Sequence, residues 1–316
     1  MLRLSSLVVS WWLVGASFAQ EPSAVPAAEP KLVHLRVIGA SVSGGFKDGP
    51  FTGATEPGDT VSMHHLLKEW CGEHARASTH SPTAMMMMFT APERIGGEQI
   101  KATQKAKPDA VVAIDFPFWF AYGRVAGDEA AARRALLQKG LELLASIEGP
   151  VVIGDLPDFQ GAAARMLAPA QIPSPAVLQQ LNADLAAWVA THQNVRQVPL
   201  AATVALMKTA GVALPLASGP LPTPPGALLQ GDRLHANRLG MAFLGHTLQP
   251  TLQQLFAADH PLRKQTWTFE QFVVACGAEA ELEALQAAAR QKAGDAKAGD
   301  TKTGEAKQPA GAGAGR

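Results

Sequence analysis

The chain has 316 residues, of which 47% are apolar, with 27 basic and 27 acidic side chains and a pI near 7. That length and apolar content suffice for one large domain with a substantial buried core. The even charge balance excludes the basic excess that the phosphates of a nucleic-acid partner require.

Arg3 supplies a positive start, and Leu4 to Phe18 is an apolar stretch of signal-peptide length. Ser17-Phe18-Ala19 puts small residues at the two positions a signal peptidase reads, so cleavage of residues 1–19 and export are expected. Periplasmic and secreted destinations read alike. The stretch is short beside the ~20 residues of a membrane span, and no stable span is expected after cleavage. Residues 20–31 are rich in Pro and Ala and read as a linker.

A main domain is expected over residues 32–257. Leu32 to Ile38 reads as a first strand ended by Gly39, and Val61 to His74 as a helix. The apolar run Ala84 to Ala91, with Met85 to Met88 inside it, reads as a second strand packed in the core. Gly96-Gly97 precedes a polar, helix-compatible stretch from Glu98 to Lys107. Ala110 to Phe116 and Val151 to Ile153 read as buried strands, and Val195 to Leu200 as the last strand. Helices are expected over Asp128 to Ile147, from Ser174-Pro175 to about His192, and over Asn237 to Phe256.

Strands alternating with long helices predict a three-layer α/β/α sandwich with a mostly parallel sheet of about five strands, flavodoxin-like in plan. Residues 258–291 add peripheral helices. Residues 292–316 carry no large apolar side chain and are expected to be disordered.

Ligands of open α/β sheets bind at the carboxyl ends of the strands. There the first strand runs into Gly39-Ala40-Ser41-Val42-Ser43-Gly44-Gly45, which places a serine hydroxyl and its own N–H at the sheet's mouth. Neither GxGxxG nor GxxxxGK[ST] is present, so no phosphate cradle is specified. Near the other end, Asp232-Arg233-Leu234-His235 spaces a carboxylate and an imidazole as on one helical turn. Serine to attack, histidine to shuttle the proton and aspartate to orient it make a catalytic triad.

With these two segments the chain resembles the SGNH/GDSL hydrolase family. Gly39-Ala40-Ser41 stands for its first block, with Ala40 where Asp is usual, and Asp232-x-x-His235 for its last. The resemblance implies Ser41, Asp232 and His235 as catalytic, and an oxyanion hole formed by the N–H groups of Ser41 and Gly97. It also implies hydrolysis of a small-molecule, glycan or lipid ester, with no cofactor and no metal. The family's Gly-x-Asn-Asp block is replaced by Ile114-Asp115-Phe116-Pro117-Phe118-Trp119-Phe120-Ala121-Tyr122. Its third oxyanion donor is therefore missing, a loss that typically costs ~10²–10³-fold in rate. Trp119 N–H and Tyr122 O–H are the candidate replacements, and Asp115 and Asp155 candidate cleft residues. Phe116, Phe118 and Phe120 read as packing beneath the site.

A catalytically weak or inactive binding protein of the cell envelope is the alternative, and a structural protein acting through its tail a further one. His64, His65, His74 and His80 lack a metal-ligand spacing. Asp158 reads as a turn residue. In an oxidising compartment Cys71 and Cys276 form either a disulfide or two buried thiols, and their spacing does not choose.

Overall fold

The structure, a computed structural model, describes residues 33–47, 60–162 and 166–303. The expected signal segment and linker lie outside the described residues. Five parallel strands form one sheet: β1 (Val33–Val37), β2 (Ala75–Thr79), β3 (Ala110–Ala113), β4 (Val151–Gly154) and β5 (Val195–Val198), in the order β2-β1-β3-β4-β5. Ala110–Ala113 and Val151–Gly154 are buried at every residue, which is why they read as continuous apolar runs. The edge strands are more polar: Val195–Val198 leaves Arg196 and Gln197 outside the core, and Ala75–Thr79 keeps only Ala75 buried.

After β1 come a single turn α1 (Ser41–Gly44) and α2 (Met63–Cys71); after β2, α3 (Pro82–Met86) and α4 (Pro92–Ala106). A short α5 (Phe118–Ala121) and α6 (Glu129–Ala145) follow β3, and α7 (Pro175–Thr191) follows β4. Beyond β5 lie α8 (Leu200–Ala205), a π-helical turn over Leu206–Ala210 and a two-stranded ribbon of β6 (Ala213–Leu214) and β7 (Leu221–Pro222). The described chain closes with α9 (Arg238–Gln253), α10 (Pro261–Lys264), α11 (Phe269–Cys276) and α12 (Glu279–Thr303). Helices α2, α9 and α11 pack together as one layer, and α4, α6 and α7 as the other. The expected three-layer α/β/α sandwich is therefore present.

Several local expectations are corrected. Ala84 to Ala91 is no strand. It is helical, α3 running into a 3₁₀ turn over Met87–Thr90. Ser81 caps it by accepting the Ala84 N–H, and Pro82 takes the first turn; methionine, unbranched at Cβ, then favours helix. The second strand is instead the short Ala75–Thr79. Helix α4 starts at Pro92 and takes in Gly96-Gly97, because Gly96 lies against Phe116 and Phe120, whose ring atoms a Cβ there would meet at 3.2 and 3.0 Å. The backbone helix α12 continues to Thr303, through part of the segment expected to be disordered. Cys71 and Cys276 are free thiols, and burial pushes both up to about 12.

In this strand order the chain leaves β1 and β3 in opposite directions across the sheet, so the crevice between their carboxyl ends is the topological switch point. Ser41 follows β1, and Asp115 follows β3.

Candidate active site

The turn after β1 is held from two sides. Gly39 exchanges two hydrogen bonds with the buried Gln99 amide, its N–H donating at 2.8 Å and its carbonyl accepting at 2.8 Å. Opposite, the Asp115 carboxylate accepts the N–H groups of Ala40 (3.1 Å), Val42 (2.9 Å) and Ser43 (3.4 Å) and the Ser43 hydroxyl (2.6 Å). Burial pushes the Asp115 carboxyl up, and these four donors pull it back only in part. Gly39 has φ 140°, and a Cβ on it would lie 2.0 Å from Asp115 Oδ1. Glycine is required there by conformation and by contact. One group of the turn is left over: the Ser41 N–H bears no hydrogen bond among the described residues, although the N–H groups on either side are bound.

Asp232 and His235 are buried and joined, Asp232 Oδ2 to His235 Nδ1 at 2.5 Å. They do not sit on a helical turn, as the spacing suggested. Residues 231–235 form a tight loop ahead of α9, closed by a bridge between Leu229 and Ala236. Asp232 Oδ1 accepts the N–H groups of Leu234 and His235, both at 2.9 Å, and Arg233 takes φ 56° to let the chain turn. The imidazole is further fixed by the ring of Phe46, stacked at 4.3 Å, whose carbonyl is held by the Gln230 side chain.

Burial pushes the Asp232 carboxyl up. The hydrogen bond and charge of His235, with the two backbone N–H groups, outweigh it and hold the carboxyl below its ordinary range. A depressed carboxyl pKa contributes stability that is full above the unfolded value, ~3.9, and is lost as pH falls through the folded one. The stability advantage of the wild type over Asp232→Asn should therefore shrink as urea titrations move from pH 6 towards pH 3. An advantage independent of pH would contradict this pairing.

Ser41 and His235 line one pocket at the switch point. No hydrogen bond joins Ser41 Oγ to His235 among the described residues. In unliganded sites such bonds are commonly long and tighten around substrate. The pocket is a slot of about 520 Å³, its open mouth included, and its walls are almost wholly apolar. Phe118, Trp119 and Phe159 form one wall, with Phe118 edge-on to both of the other rings at 4.6 and 5.4 Å. Leu200, Val204 and Met207, from α8 and the π turn, form another, and Leu229, Leu234 and Leu244 complete it.

Other expected positions are placed differently. Gly97, expected in the oxyanion hole, is instead the sixth residue of α4, where its N–H belongs to the helix's own hydrogen-bond ladder, and it does not line the slot. Tyr122 donates its hydroxyl to the Pro157 carbonyl at 2.5 Å and is spent. Trp119 keeps a buried indole N–H without a partner among the described residues. Asp155 is no cleft residue: it accepts the Ala201 N–H at 2.5 Å, holding the start of α8. Asp115 borders the slot, but its oxygens serve the Ser41 turn. Phe116 and Phe120 pack away from the site, whereas Phe118, expected beneath it, faces it. Asp158 makes a surface turn, accepting the Gln160 N–H. The His64 and His65 rings meet the carbonyls of Ala77 and Ala275.

Fold and site together define a parallel α/β protein with a serine and an aspartate-bound histidine in one apolar slot. No family model matches the chain, and no curated protein matches it by sequence. Among solved structures it is similar to BT4096, a gut microbial diltiazem-metabolizing enzyme, at 10% identity and a TM-score of 0.38. That match takes in 69% of this chain and 46% of the other, so the chain spans less than half the length of that protein. No helix among the described residues is long and apolar enough to cross a membrane.

Proposed function

We propose that the protein is an exported serine hydrolase that cleaves a carboxylic ester through an acyl-enzyme on Ser41, in the manner of the SGNH/GDSL family it resembles. The observation that carries this reading is the slot itself: a serine whose own N–H is unoccupied shares it with a histidine fixed by a buried carboxylate. Export follows from the apolar segment after Arg3.

Asp232 takes the proton on Nδ1 as a hydrogen bond and leaves Nε2 as the base. Ser41 Oγ bonds to the ester carbonyl carbon while its proton passes to Nε2. The Ser41 N–H receives the oxyanion, and the Trp119 indole N–H serves as second donor in place of the family's asparagine. The bond from carbon to the alcohol oxygen then breaks, and His235 returns the proton to that oxygen. Water next gives a proton to His235 and bonds to the acyl carbon. Serine leaves, recovers its proton, and the carboxylic acid departs.

The full chain is expected to release p-nitrophenol from a short p-nitrophenyl ester with saturation kinetics. Release no faster than in buffer, from protein shown to be folded, would count against hydrolysis and for the binding-protein alternative.

A further inference from the structure

We propose, resting on the hydrolase reading, that the substrate is an ester of an apolar acid, whose acyl chain lies in the slot between Phe159, Met207 and Leu244. Apart from Ser41, His235 and the Trp119 indole N–H that serves the oxyanion, the polar side chain lining the slot among the described residues is Asp115, and its oxygens are committed to the Ser41 turn. Sugar hydroxyls entering it would give up water without finding partners, whereas methylenes gain by leaving water.

The acyl half of the ester is the half that belongs there. The alcohol must leave before water attacks, and a closed apolar slot would retain it. The acyl chain stays covalently held through both steps and is best fixed by such walls. Apolar side chains also stand in water beside two of these walls. Phe89, 46% exposed, lies with its ring 5.7 Å from that of Trp119, and Leu206, 50% exposed, directly precedes Met207. Both offer an apolar approach to a substrate whose chain is poorly hydrated.

The test is a p-nitrophenyl ester series from acetate through butyrate, hexanoate and octanoate to longer chains, run on the full chain and on Met207→Trp and Val204→Phe. The kcat/KM of the wild type should rise about fourfold per methylene until the slot is filled, and then fall. Each filling variant should cut the hexanoate-to-acetate ratio at least tenfold; if one fails to fold, the other carries the test. A series that is flat or falls from acetate, while acetate is hydrolysed, overturns the acyl assignment and leaves the hydrolase standing. So does a rising series that both folded variants leave unchanged. Absence of turnover on every ester overturns both.

Discussion

Ser41→Ala should lower kcat on a p-nitrophenyl ester by about 10⁴-fold or more, and His235→Ala should do nearly the same. The two act as one unit, since the hydroxyl attacks only as the imidazole removes its proton. The double variant should therefore lose no more than either single one, whereas independent contributions would multiply. Residual catalysis belongs to the apolar slot and the oxyanion donors, which neither change removes. The folded state should hardly notice the first substitution. Ser41 Oγ makes no hydrogen bond among the described residues, so urea midpoints should differ by less than about 1 kcal/mol in stability. A Ser41→Ala protein that keeps a tenth of its activity would contradict the assignment of the nucleophile.

The largest effect on stability is expected at a residue that touches no substrate. Gly39→Ala should cost about 3–5 kcal/mol, read as a drop in the urea midpoint. A side chain at φ 140° carries ~1–3 kcal/mol of backbone strain. Its Cβ would also displace the Asp115 carboxylate from 2.0 Å, and with it four charge-assisted hydrogen bonds. Asp115→Ala should cost a similar amount by leaving those donors unpaired. Because the two lesions share one cause, the double variant should fall well short of the sum, by 1 kcal/mol or more. Strict additivity would mean that Gly39 and Asp115 do not act on each other, and a Gly39→Ala cost below 1 kcal/mol would contradict the clamp.

The central strands β3 and β4 are legible because strands buried on both faces must be apolar throughout, β1 and β5 by their apolar residues between turn signals, and the long helices because capping residues and prolines mark their starts. Ser41 was found by its place at the end of β1, and Asp232 with His235 by their spacing. The misreadings have physical causes. The edge strand β2, Ala-Arg-Ala-Ser-Thr, looks like loop because one side of it meets water. The methionine run imitates a buried strand, although Ser81-Pro82 announces a helix by the same signal that served at Ser174-Pro175. Asp-x-x-His reads as helix by spacing, but the turn depends on Arg233 adopting a conformation usually left to glycine, which no local pattern announces. Gln99, Phe46 and Gln230 reach the site from 60, 189 and 184 positions away from the groups they steady, and only the packed chain reveals them. Val204 and Met207 lie just beyond the last predicted strand, where nothing in the sequence marks a slot wall.

Reaction with a fluorophosphonate, followed by peptide mass mapping, tests the nucleophile directly. The account predicts one adduct per chain, on Ser41, with labelling slowed by orders of magnitude in Asp232→Ala and His235→Ala. An unlabelled folded protein, or an adduct on any other serine, would contradict it.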